Sequence, residues 1–179
     1  MSDVKDDDLV RIACAGDVRA FELLSERHYD FMYRIAFRWC GNQADAEDIT
    51  HNAFLKMADK LHDFRFESSF RTWLCRLVIN TAKDSVRREQ RNYQRLAQVN
   101  DDLTGGVCAD SQTYTNEIFR FIQKLPQDQR SALILVFGEG MTHKEAAEIE
   151  GCPEGTLSWR IHEARRNLEY MMKKGGRHE

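Results

Sequence analysis

Apolar residues return every three or four positions along most of this chain, with polar residues between them, which is the pattern of amphipathic helices rather than strands. Leu9, Ile12 and Ala13 form a short stripe before Gly16-Asp17. Ala20, Phe21, Leu24, His28, Phe31, Ile35 and Ala36 form a longer one, in which His28 and the neighbouring Tyr29 read as packing residues. After Gly41-Asn42 the stripe is Ala46, Ile49, Ala53, Met57 and Leu61. After Glu67-Ser68-Ser69 it is Phe70, Trp73, Leu74, Leu77, Val78 and Thr81. Periodicity lapses from Asn92 to Thr113, where Asn100-Asp101-Asp102, Thr104-Gly105-Gly106 and Asp110-Ser111 are turn chemistry, and it returns with Ile118, Phe119 and Ile122. The expected fold is therefore all-α, with two helical domains, residues 1–91 and 114–179, joined by a flexible linker over 92–113.

The last third is the most specific stretch. A helix following Leu125-Pro126 is expected to bury Leu133, Ile134, Val136 and Phe137 and to stop at Gly138-Glu139-Gly140. Thr142 with Glu145 three residues on has capping-box spacing and opens a short helix carrying Ala146, Ala147 and Ile149. Gly151-Cys152-Pro153 breaks it, and proline suits the first turn of the long helix that follows. Two helices joined by a short glycine-containing turn describe a helix-turn-helix, whose second helix enters a DNA major groove. In that second helix Leu157, Ile161, Ala164 and Leu168 face inward. Thr156, Ser158, Trp159, Arg160, His162, Arg165 and Arg166 fill the other face with groups able to meet base edges or phosphates.

Two polar faces upstream also carry chemistry. Asp45, Asp48, Asn52 and Lys56 repeat opposite a buried stripe, with Glu47 and His51 beside them. Carboxylates at a helix start favour the dipole, so a capping role and a docking role for this face stand about level on composition. The helix beginning near Phe70 becomes cationic in its second half, where Asn80, Asp84, Arg87 and Arg91 repeat at helical spacing with Lys83, Arg88 and Arg95 alongside. Aromatics before a basic track suit a nucleic-acid single strand, and Phe64 and Phe66, in the loop, are the candidate base contacts.

The net charge of −3 excludes a general nucleic-acid glue, but its distribution is informative. Residues 1–64 carry −5, 65–95 carry +5, 96–154 carry −6 and 155–179 carry +3. DNA is thus expected at two separated basic elements, with acidic surfaces left for a protein partner or for solvent. Five scattered cysteines never form C-x-x-C and read as core fillers or free thiols, and the six histidines form no ligand cluster with them, so no metal or other cofactor is expected. No activated nucleophile, glycine-rich phosphate loop or catalytic carboxylate pair appears, which argues against an enzyme. No apolar run reaches membrane-spanning length and the acidic MSDVKDDD start is unlike a secretory signal, so no membrane insertion and a cytoplasmic location are expected.

The segments DAEDITHNAFLKM, FRTWLCRLVINTAKDSVRR and LPQDQRSALILVFGEGMTHKEAAEIEGCPEGTLSWRIHEAR, taken in this order, resemble the extracytoplasmic-function class of bacterial RNA polymerase sigma factors in the sigma-70 superfamily. The likeness runs over roughly residues 9–172. It implies a factor that joins core polymerase, recognises a promoter and helps melt it for a stress or envelope response, under the control of an anti-sigma protein. Asp45, Glu47, Asp48, His51 and Asn52 would then meet the polymerase clamp's coiled coil. Phe64, Phe66, Ser68, Asn80 and Lys83, followed by Arg87, Arg88 and Arg91, would hold the melted minus-ten strand. Thr156, Ser158, Trp159, Arg160, His162, Glu163, Arg165 and Arg166 would read the minus-thirty-five duplex. The class often has basic residues where Ser158 and Glu163 stand and a small one where Trp159 stands, so an altered promoter preference is implied, with Glu163 able to accept from a cytosine amino group. A stand-alone DNA-binding regulator is the competing reading, but it would have no need of the acidic helix or the FRTWL segment.

Overall fold

The structure, a computed structural model, describes residues 4–97 and 114–175, with side chains described over 4–91 and 119–174. Of the expected 92–113 linker, residues 98–113, with Cys108, lie outside the described residues, and 92–97 belong to a helix. Helices α1 (Asp6–Cys14), α2 (Val18–Cys40), α3 (Gln43–Lys60) and α4 (Phe70–Ala97) make an N-terminal bundle. Helices α5 (Tyr114–Gln123), α6 (Gln127–Leu133), α7 (His143–Glu150) and α8 (Glu154–Gly175) make a C-terminal one. No strand occurs among the described residues.

Polar side chains start these helices where the sequence places them. Asp17 accepts from the Ala20 amide at 3.0 Å, Asn42 from Asp45 at 2.9 Å and Ser69 from Thr72 at 3.0 Å. Thr142 and Glu145 form the reciprocal capping box expected of their spacing. The loop end of α2 is more demanding. Gly41 sits at φ +76°, the left-handed conformation that favours glycine, with the Gln123 side chain of the C-terminal bundle lying against it. Helix α4 continues to Ala97, past the point where the apolar stripe fades, because the 92–97 segment still holds good helix formers.

Trp39, Phe70, Leu24, Met32, Ile35, Met57, Leu74 and Ile79 are fully buried in the N-terminal bundle. Each such side chain contributes about 1.5–3 kcal/mol by leaving water. The C-terminal bundle closes on Ala132, Leu135, Ala146, Leu157 and Ala164. Two details differ from the sequence reading. Ile12 is exposed and Val10 is buried instead. The inward stripe of α1 is Asp6, Leu9, Val10 and Ala13, because Asp6 pairs with Arg27 at 2.6 Å and His28 at 2.9 Å on α2 and so sets the rotation of α1. Phe137 is exposed, and Val136 only half-buried, because α6 runs into a π-helical turn over Ile134–Gly138, in which the Glu139 amide bonds the Ile134 carbonyl at 2.9 Å. The wider turn shifts the register, puts Leu135 in the core and turns Phe137 out beneath Arg165 at 4.6 Å.

His28 sits between Phe31 and Phe70 and holds Asp6 through Nε2. Burial pushes its pKa below the ordinary 6.5; Asp6 opposes this, while Arg27 and Arg71 add to it. The unfolded chain therefore binds a proton more readily than the folded one, so His28's stabilising contribution is complete above about pH 6.5 and falls as the medium is acidified through that value. Chemical unfolding followed between pH 7.5 and 5.5 should show this decline in the wild type and a flatter profile in His28→Gln; equal slopes would remove His28 as its source.

Candidate nucleic-acid interface

Helix α3 presents Asp45, Glu47, Asp48, His51 and Asn52 as one exposed face, opposite the buried Ala46, Ile49 and Ala53. Of the carboxylates only Asp45 lies in the first turn, where it is held by Asn42, so the helix dipole accounts for that residue and not for Glu47 or Asp48. Gln43 donates to Glu47 at 2.7 Å. Beside this face a ladder of Tyr29, Tyr33 and Phe37 on α2 stacks with Phe54 of α3.

The loop between α3 and α4 divides the two phenylalanines expected to touch bases. Phe64 is a core residue, in contact with Phe66, Phe70 and Trp73 at centroid distances of 4.7, 5.5 and 5.7 Å, and this corrects its reading as a base contact. The physical reason is that the loop needs an apolar plug over the end of α4, and Phe64 supplies it. Phe66 is exposed and stands at φ +59°, a left-handed conformation that costs a bulky residue roughly 1–3 kcal/mol. Arg11 lies over its ring at 4.6 Å. Ser68 is half-buried beside it, and Asn80, Arg87, Arg88 and Arg91 continue outward along α4 as an exposed row. Lys83 belongs to the same row but turns inward, with Nζ 2.7 Å from Glu150.

In the helix-turn-helix, α7 and α8 are pinned by a 2.9 Å contact between His143 Nδ1 and Ser158 Oγ. Ser158 thus positions the motif. Trp159, His162, Arg165 and Arg166 are exposed along α8, and Thr156 is half-buried at its start. Glu163 is mostly covered and accepts from Arg166 at 2.7 Å. Arg160 points away from the exposed face, to Asp128 at 3.2 Å and Glu150 at 3.4 Å.

The residues that join the bundles escaped the sequence reading. The Glu139 side chain, 1% exposed, is gripped by Arg34, Arg38 and Arg71, and Arg38 also donates to the Gly138 carbonyl at 2.6 Å. Gly138 fits because a side chain would press on that guanidinium. Arg76 donates to the Glu148 carbonyl at 2.9 Å, and Arg130 lies over the Trp39 ring and donates to its carbonyl at 3.2 Å. The one sequence signal was a glutamate flanked by glycines after an apolar run; its partners lie more than sixty positions away. The cysteines are not poised nucleophiles: burial raises Cys40 to about 11 and Cys75 to about 12, while Cys14 is an exposed free thiol and Cys152 a half-buried one.

An all-helical chain with a DNA-reading motif behind a separate helical bundle with an aromatic loop and basic row is the architecture of a sigma-70 factor. The family models concur: Sigma-70 region 2 matches residues 24–92 and Sigma-70, region 4 matches residues 115–168. The ECF RNA polymerase sigma-E factor of Haemophilus influenzae is 33% identical over 177 residues, covering 92% of this chain and 93% of that protein. The sigma-E factor of Escherichia coli K12 is 31% identical, covering 90% and 91%, and the RNA polymerase sigma-H factor of Pseudomonas aeruginosa is 32% identical, covering 92% of each. Among solved structures, CnrH in complex with the cytosolic domain of CnrY superposes with a TM-score of 0.66 at 26% identity over 94% of this chain and 97% of that one. The sigma factor RpoE from Bartonella quintana, solved with the anti-sigma factor NepR, shares the fold at a TM-score of 0.67 and 23% identity, over 86% of this chain and 96% of that one. This chain belongs to the extracytoplasmic-function sigma factors of the sigma-70 family. It is a transcription-initiation factor that binds core RNA polymerase and directs promoter recognition, and it is not an enzyme. No helix among the described residues is long and apolar enough to cross a membrane.

The two loop aromatics should separate in a stability measurement. Phe64→Ala is expected to cost about 3–5 kcal/mol, as for a buried aromatic, whereas Phe66→Ala leaves chemical unfolding near wild type. Similar losses for both would mean that Phe66 is also structural.

Proposed function

We propose that the polar face of α3 docks on the clamp coiled coil of core polymerase through Asp45, Glu47, Asp48, His51 and Asn52, while residues 1–91 and 114–179 act as separate promoter-reading domains on either side of a 92–113 linker. Phe66, Ser68 and Asn80 would hold an unstacked base of the melted minus-ten strand, with Lys83, Arg87, Arg88 and Arg91 following its phosphates. Helix α8 would enter the minus-thirty-five major groove, with Trp159 and His162 toward the bases and Arg165 and Arg166 toward the backbone. One observation carries this reading: a strained, exposed aromatic at φ +59° stands at the head of an exposed basic row, on a bundle separate from the helix-turn-helix. Strain of that kind gathers where a site over-determines the backbone.

Trp159 and the Glu163–Arg166 pair support a promoter preference of the chain's own, since a large indole and a tethered arginine offer different contacts from a small and a free basic residue. The relatives named sigma-E support a stress or envelope-response regulon. Solved relatives bound to partner proteins, among them an anti-sigma factor on the Bartonella quintana protein, support control of this chain by an anti-sigma protein, and a role on core polymerase supports a cytoplasmic location.

Transcription by purified core polymerase on fragmented host DNA, with and without this protein, should yield new start sites sharing two spaced elements. No new starts from a folded protein that binds duplex DNA would favour a stand-alone regulator. Asp48→Ala with Asn52→Ala should weaken polymerase binding about tenfold, the equivalent of about 1.4 kcal/mol. Trp159→Ala should leave that affinity unchanged and alter the selected minus-thirty-five sequence.

A further inference from the structure

Phe66 has a partner from outside its own loop. The guanidinium of Arg11, in the last turn of α1, lies over its ring at 4.6 Å, while Phe64 is tilted against it at a centroid distance of 4.7 Å. Asp7 and Asp8 stand four and three positions before Arg11, the spacings at which helix side chains pair. Among the described residues Arg11 forms an ion pair with neither and is turned to the ring instead. Asp6, the remaining carboxylate of that turn, is committed to Arg27 and His28. Stability does not account for the arrangement. A bulky residue in the left-handed region costs more than an exposed cation–π contact returns. Both side chains are exposed, so their contact also removes little apolar area from water.

We infer that Arg11 is a further contact to the melted minus-ten strand, oriented by Phe66 so that its N–H groups meet the phosphate beside the base on which Phe66 stacks. The inference rests on the reading of Phe66 as a base contact. A guanidinium lying over a ring keeps its N–H edge for phosphate oxygens, and arginine stays charged at any working pH. Ring and guanidinium together hold a base and its backbone without reading the sequence, as a melted strand requires. Helix α1 packs on α2 and on the 3-10 turn Leu61–Asp63, so Arg11 brings the loop a cation from outside the α4 row of Arg87, Arg88 and Arg91. Residues 1–64 are acidic as a whole, at −5, so Arg11 acts by local contact and not as part of a diffuse basic field. The strain at Phe66 then has a use: it holds the ring out in water where both Arg11 and a base can reach it.

The test is holoenzyme, assembled from core polymerase and this chain, binding a promoter from the mapped start sites that is premelted over its minus-ten element, across a series of salt concentrations. Arg11→Gln should weaken binding about fivefold and make the slope of log K against log salt shallower by about 0.7, the loss of one single-strand phosphate contact. Arg11→Lys, which keeps the charge, should restore the slope. Arg19→Gln, which removes an exposed arginine from the same acidic segment, should change neither quantity. In Phe66→Ala, where nothing orients Arg11, adding Arg11→Gln should cost less than the fivefold it costs in the wild type. An unchanged salt slope in Arg11→Gln, with Asn80→Ala still weakening binding, would overturn the inference and leave the reading of the loop standing, with Arg11 as a strut only. Equal losses in Arg11→Gln and Arg19→Gln would overturn it as well, as a general effect of charge. No loss in Arg11→Gln, Asn80→Ala or Phe66→Ala would overturn the reading of the loop and the inference with it.

Discussion

A carboxylate removed from water must find cations, and in this protein that requirement joins the two halves. Glu139 is delivered to Arg34, Arg38 and Arg71 by a π-helical turn that no ordinary α-helix would provide, and by a glycine that lets the backbone come up against Arg38. The same turn moves Phe137 out of the core and leaves its ring to Arg165. One extra residue in a helical turn thus sets the contact between the bundles and part of the surface of the recognition helix. Gly41 answers the same contact from the other side, where Gln123 packs against the end of α2.

Function follows from how charge is divided among elements that each have an independent reason to exist. Helix α4 buries Phe70, Leu74, Val78 and Ala82 on one side, which frees its other side for Asn80, Arg87 and Arg91. Helix α8 does the same with Leu157, Ile161 and Ala164 inside and Trp159, His162 and Arg166 outside. The small net charge of −3 conceals this segregation. Two glutamates of the acidic segments, Glu139 and Glu150, also occupy cations of the opposite bundle.

Much of the local structure was legible because it depends on neighbours in sequence. The Thr142–Glu145 capping box, the breaks at Gly41 and Gly151 and the inward stripe of α8 follow from spacing, and all are present. Phe64 was not legible in this way. A loop phenylalanine has no periodicity to say whether it faces water, and only Phe70 and Trp73 beneath it decide that it is core. Ile12 and Val10 exchange places because an ion pair from α2 rotates α1, and the π turn at Ile134–Gly138 defeats a 3.6-residue stripe at Phe137. In the recognition helix the sequence identified the polar face but could not distinguish Trp159, which is free, from Ser158, which is tied to His143, or Arg160, which is turned to Glu150.

By itself, then, the sequence determined an all-helical chain, its two bundles, the helix-turn-helix and the family to which these belong, since helical period, caps and breaks are short-range properties. Only the tertiary structure decided which charges are available. Arg34, Arg71 and Lys83 meet carboxylates more than sixty residues away, and burial of Glu139 and Glu150 depends on surfaces from both bundles at once. Pairing of buried charge is a property of the assembled space between helices, and no spacing along the chain encodes it.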